Sequence, residues 1–194
     1  MSVQLQPSGP EKILCRGRLI ELAQQEMSDG ARTCTFEFAR RGPGTRIMFC
    51  RDDKWLIARE YRYENGTFDM RLPGGKVFDT LQEYETARSN DANFCSLARA
   101  TITKEALEEV GLRPTSLEFF HKSVCGATVR WDLFYFICQA WDVCGEPQLE
   151  FGEDITFDWY SSAQVKQMCL TGEVSEDRSA IALLRAIEKL RPGS

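Results

Sequence analysis

Apolar positions along this chain follow two rhythms, and the switches between them lay out its elements. Short alternating or continuous apolar runs bounded by turn residues predict strands at 13–22, 34–41, 46–51 and 55–58. Ser28-Asp29-Gly30 and Asp52-Asp53 supply the turns inside the first and second pairs. Leu72-Pro73-Gly74-Gly75 then breaks the pattern. Residues 78–95 are polar, rich in Glu, Asp, Asn and Ser, and predict an inserted surface loop. From Ile102 the rhythm changes: Ile102, Ala106 and Val110 recur at every fourth position, the stripe of a helix docked on one side, and Gly111 is a suitable stop. Further strands are expected at 117–123, 131–138 and 156–160. Ser161 or Ser162 is placed to cap a short helix through Leu170. Ser175 is placed to start a last helix with the stripe Ile181, Leu184, Ala186 and Leu190. Strands interleaved with a few helices predict an α/β sandwich.

Composition narrows the classes. At 194 residues and 43% hydrophobic, the chain fits one domain, or one domain with a small appended element, and can fill a core. The net charge is −5 and the densest basic stretch is Arg40-Arg41 with Arg46 nearby, too slight for a nucleic-acid stripe. No run approaches the roughly 18 apolar residues of a membrane span. The first residues carry neither a basic flank nor a long apolar run, so no signal peptide is expected. The eight cysteines lack zinc-ribbon spacing and are expected as reduced, mostly buried thiols of a cytoplasmic protein. His121 is the single histidine and is expected as a strand residue, so acid–base chemistry falls to carboxylates.

The informative stretch is Lys104-Glu-Ala-Leu-Glu-Glu-Val-Gly-Leu112. On a helix, Glu105 and Glu109 share one face with Glu108 beside them, opposite the apolar stripe. Three carboxylates this close repel unless they are solvated or neutralised. A solvated acidic face is the plainer reading of these residues alone. The sharper one is a site for a hard cation such as Mg²⁺, which bridges one or two carboxylates to substrate phosphates.

The surroundings favour the second. The segment resembles the Nudix box: glycine, five residues, Glu, seven residues, then Arg-Glu-aliphatic-any-Glu-Glu-any-Gly-aliphatic. Glu105, Glu108, Glu109, Gly111 and Leu112 match its second half, and Leu72-Pro73-Gly74-Gly75 matches the turn that usually leads into it. Lys104 stands where Arg is usual, and Ala106 where a larger aliphatic is usual. Lys104 also lies 29 positions after Gly75, so roughly 15 extra residues sit inside the box and its upstream Glu has only Glu83 and Glu85 as weak candidates. Ala58-Arg59-Glu60-Tyr61-Arg62, Gly152-Glu153-Asp154-Ile155 and Thr171-Gly172-Glu173-Val174 resemble the ADP-ribose and ADP-sugar pyrophosphatases of that superfamily.

The resemblance implies a Nudix-type α/β/α sandwich with a mixed central sheet. It also implies a small N-terminal antiparallel sheet within residues 1–44, ahead of a hydrolase domain over 45–194 with an insertion at about 78–95. It implies Mg²⁺ or Mn²⁺ held by Glu105, Glu108, Glu109 and the Gly74 carbonyl, with Glu108 and Glu153 as catalytic carboxylates; Glu150 competes with Glu153. Arg62 and Arg71 would bind phosphate, Phe36, Phe38 or Tyr63 would stack on a base unless these strand aromatics are core, and Arg130 would shape the sugar or base pocket. The implied reaction splits a nucleoside diphosphate sugar, such as ADP-ribose, into a nucleoside monophosphate and a sugar phosphate. The alternatives are another Nudix substrate (a nucleoside triphosphate, coenzyme A or a dinucleoside polyphosphate) or a non-catalytic nucleotide-sugar sensor. Neither nucleic acid nor membrane is expected as a partner, and a homodimer through residues 13–41 is expected from the resemblance.

Overall fold

The computed structural model describes residues 4–149 and 151–191; Glu150 lies outside the described residues. Its elements in chain order are β1 (Gln6–Pro7), β2 (Lys12–Arg16), β3 (Ile20–Ser28), β4 (Thr33–Arg41), β5 (Gly44–Arg51), β6 (Lys54–Arg62), β7 (Thr67–Arg71), α1 (Leu81–Ser89), α2 (Phe94–Val110), β8 (Leu112–Ser123), β9 (Val129–Arg130), β10 (Leu133–Val143), β11 (Ile155–Ser161), α3 (Ser162–Thr171) and α4 (Asp177–Lys189). The contacts divide them into two compact units.

The first unit joins the described residues up to Pro43 with Lys76–Asn93 and Val124–Asp132. Its sheet runs β1-β3-β4-β9 with β2 also on β3, antiparallel except for the short parallel β4–β9 edge. The expected strand over 13–22 is two strands, because Gly17 donates its N–H to the Ile20 carbonyl at 2.8 Å and turns the chain. The segment 78–95, expected as a loop, contains α1 and the first two residues of α2. Helix α1 has only Leu81 buried, so no apolar stripe announces it. Capping starts it instead, with the Thr80 side chain accepting from Glu83 N. Charge pairing holds it: Arg16 bridges Glu21 and Glu85 at 2.7 Å each, and buried Arg40 pairs with Glu21 and Glu11.

The second unit joins Gly44–Gly75, Phe94–Ser123 and the described residues from Leu133 onward. Its six-stranded mixed sheet has the order β11-β6-β5-β10-β8, with β7 also on β6. β5 and β10 are parallel and the other pairs antiparallel. Adjacent residues of β10 point to opposite faces: Tyr135 meets Ser179 of α4, while Phe136 lies under Arg99 of α2. Helices therefore cover both faces, and the architecture is an α/β/α sandwich. Among the described residues, no helix is long and apolar enough to cross a membrane.

Two local features position the site. Asp52 and Asp53 both adopt left-handed backbone (φ 52° and 58°), as a tight hairpin demands, and join β5 to β6. The two strands then part after Cys50↔Trp55. β6 turns its edge to β7, while β5 takes Pro73 and Gly75 instead, through Ile47 N to Pro73 O at 3.0 Å and Thr45 N to Gly75 O at 2.9 Å. The glycine bend is thus wedged into the sheet. Against it lies α2, whose fully buried Ala98, Ile102 and Ala106 form the expected stripe, with Val110 ending it. Gly111 (φ 67°) stops the helix.

Two expectations need correction. The inner face of α4 is Ser179, Leu183, Ala186 and Ile187, and Ile181 is 47% exposed. The register was hidden because an inward position carries a serine, satisfied by Tyr135 and Glu176. The thiols are all free as expected, but only Cys50 and Cys138 are buried; Cys15, Cys34, Cys125 and Cys144 are exposed, on strand edges and loops. His121 lies on β8 as expected.

Candidate active site

The acidic face of α2 meets the glycine bend. Glu109 is only 8% exposed, and its carboxylate accepts a hydrogen bond from Gly74 N at 2.8 Å. Burial pushes this carboxyl up to about 8; the Gly74 bond and the Arg46 charge oppose the shift, and the charges of Glu105 and Glu153 reinforce it. Glu105 lies so close to Gly75 that any side chain there would overlap its carboxylate. The Gly74 carbonyl takes no hydrogen bond among the described residues. Glu105, Glu109, Gly74 and, by its field, Glu153 therefore gather at one place. Glu108 is half-buried one turn from Lys104, which it pairs with at 3.2 Å. Among the described residues, no three acid, His or Cys side chains stand close enough to enclose an ion without other ligands.

The arrangement nevertheless fits a hard divalent cation. A carboxyl pushed toward its neutral form by burial, with two further acids adding to the shift, is the environment that an added cation relieves, and Mg²⁺ completes its shell with water and phosphate oxygens.

The arginines of β6 and β7 gather on a residue the sequence reading passed over. Glu60 accepts from Arg62 at 2.8 Å and from Arg71 at 2.6 Å, while Arg62 also pairs with Glu64. Tyr63, 67% exposed, packs edge-on against Tyr61 beside Phe68 at the tip of the β6–β7 hairpin. Phe36 and Arg130 belong to the first unit. Phe36 is half exposed on β4, whereas Phe38 is core; Arg130 lies 3.3 Å over the Phe38 ring and pairs with Glu11 at 3.0 Å.

Two more charged residues escaped the sequence reading. Arg46, register partner of Tyr135, is buried and stands 3.5 Å from Glu176, the residue that precedes α4. Burial pushes the Glu176 carboxyl up, but Arg46, the Ser179 hydroxyl, Arg178 and Arg71 outweigh it and hold it below the usual range. The signal for Arg46 was available: it is a charge at the head of the otherwise apolar strand Ile47-Met48-Phe49-Cys50.

The chain is similar in fold to an ADP compounds hydrolase. That crystal structure aligns over 98% of this chain and 96% of its own, with a TM-score of 0.71 and 18% identity, a likeness of fold. No family model and no curated protein matches the chain.

Proposed function

We propose that the protein is a Nudix-type hydrolase that cleaves the pyrophosphate bond of a nucleoside diphosphate sugar, with ADP-ribose as the first substrate to test. The observation that carries this reading is the buried Glu109, fastened to Gly74 and pressed by the charges of Glu105 and Glu153. The structural neighbour, a hydrolase of ADP compounds, supports the same class.

Glu105, Glu109 and the Gly74 carbonyl would hold Mg²⁺ or Mn²⁺, with Glu108 ordering its surrounding waters. When bound, the cation would offset the negative charge that develops on the phosphoryl oxygens. Arg62 and Arg71 would leave Glu60 in part to hold the diphosphate. Glu153, exposed on the loop before β11, would take the proton of the attacking water as the phosphorus–oxygen bond breaks. The released groups would be a nucleoside monophosphate and a sugar phosphate.

A product-resolved screen of nucleoside diphosphate sugars tests this. With Mg²⁺, ADP-ribose should yield AMP and ribose 5-phosphate; EDTA should abolish the reaction and Mg²⁺ or Mn²⁺ restore it. Equal rates in EDTA, or saturable binding of every compound without products, would overturn the reading.

The first unit would pair two copies. Its sheet exposes Ile20 (51%), Leu22 (36%) and Val129 (39%), apolar side chains that a second copy would cover. Sedimentation at micromolar concentration should give twice the chain mass; a single-chain mass would contradict the pairing.

A further inference from the structure

A second concavity in the second unit lies away from the acidic face, between the β5–β6 turn and the end of α2. It is a cleft of about 570 Å³, within the range of small-molecule sites. Its floor is aromatic. Trp141 and Trp159 stack with centroids 5.2 Å apart and planes 16° apart, and Phe49 buttresses Trp141 edge-on at 5.4 Å. Arg51 covers Trp141 at 4.4 Å, and Lys54 stands on the same rim. Neither cation makes an ion pair among the described residues. Two acids, Asp52 and Glu146, also face the cleft.

We propose that this cleft binds a mononucleotide, and that its occupancy is felt at the catalytic turn of α2. A purely apolar ligand would leave two cations and two acids without use. An inorganic anion would leave the tryptophan floor without use. A mononucleotide uses all three: its base packs on the tryptophan pair, its amino and ring-nitrogen edge faces Glu146 or Asp52, and its phosphate meets the cations of the rim.

The link to α2 is a shared wall. The loop that supplies Glu146 donates Cys144 N to Gly111 O at 2.9 Å and Gln148 N to Glu108 O at 2.7 Å. Gly111 and Gly145 are packed so closely that a side chain on Gly111 would overlap the Gly145 carbonyl. A ligand resting on this loop therefore bears on the turn that carries Glu108 and Glu109. Binding stands apart from the hydrolase reading; the coupling to turnover rests on it.

AMP titrated into the full chain in EDTA, followed by tryptophan fluorescence, tests the site. Saturable quenching is expected. Arg51→Glu and Trp159→Leu should each weaken it at least tenfold. Val143→Glu should do the same without a folding risk, since Val143 is 77% exposed at the rim. Glu105→Gln should leave the affinity within about twofold, because the acidic face is not the site read. Absence of saturable quenching overturns the proposal, as does quenching unmoved by Val143→Glu and Arg51→Glu or abolished by Glu105→Gln. If ADP-ribose is hydrolysed, AMP should alter turnover at least threefold in the wild type and not in Val143→Glu; an equal effect in both removes the coupling and leaves the site.

Discussion

Glu109→Gln should turn over its substrate two to four orders of magnitude more slowly and yet, in EDTA at pH 8, unfold at a higher temperature than the wild type. The rate loss is the scale expected when an essential charge is removed from a phosphoryl-transfer site. The stability gain follows from burial. In the folded protein this carboxyl is raised to about 8 from an ordinary 4.5. The protonated form therefore contributes fully below about pH 4.5, and its contribution is lost as the pH rises through about 8. At pH 8 the metal-free wild type carries a penalty on the order of a few kcal/mol. Glutamine carries no charge and can still accept from Gly74 N, so the penalty disappears. Thermal unfolding of both proteins in EDTA at pH 5 and pH 8 checks this: the gap should open at pH 8 and close at pH 5. Equal melting temperatures at pH 8 would mean that the carboxylate is not penalised and that the site does not call for a cation.

Gly74→Ala should damage both fold and function. Gly74 holds φ 145°, which L side chains rarely adopt, and an added Cβ would overlap the Thr45 carbonyl oxygen and crowd the Arg46 Cα. Neither neighbour can yield, since both are backbone of a central strand. The expected cost is about 2–4 kcal/mol, which lowers the melting temperature by roughly 5–15 °C. Turnover should fall as well, because the displaced Gly74 N–H orients Glu109. Gly66→Ala is the control. Gly66 also has positive φ, 64°, but nothing lies within 4 Å of its added Cβ, so its cost should stay near 1 kcal/mol. Equal losses at the two positions would show that backbone conformation alone, and not the wedge against β5, makes Gly74 indispensable.

What was legible in the sequence follows from what kind of signal each element carries. Helix α2 was legible because its stripe is apolar at every fourth position and a glycine ends it, and Glu105 and Glu109 were legible as one face by the same arithmetic. The burial of Glu109 was not, because it depends on Gly74, which lies 35 positions upstream in the chain. Helix α1 was missed because capping and ion pairs, not an apolar face, hold it. The register of α4 was misread because Ser179 takes an inward place that a leucine would ordinarily announce. Glu60 and Glu176 were missed for a shared reason: each has a partner far along the chain, Arg71 of β7 for Glu60 and Arg46 of β5 for Glu176, a pairing that no local spacing reveals.

The most direct measurement is an anomalous difference map from crystals soaked in Mn²⁺ with a non-hydrolysable ADP-ribose analogue. The account expects a peak roughly 2.0–2.2 Å from carboxylate oxygens of Glu105 and Glu109 and from the Gly74 carbonyl, with diphosphate oxygens completing the shell. Manganese and diphosphate bound together elsewhere, with Glu109 still accepting from Gly74 N and no metal beside it, would contradict it.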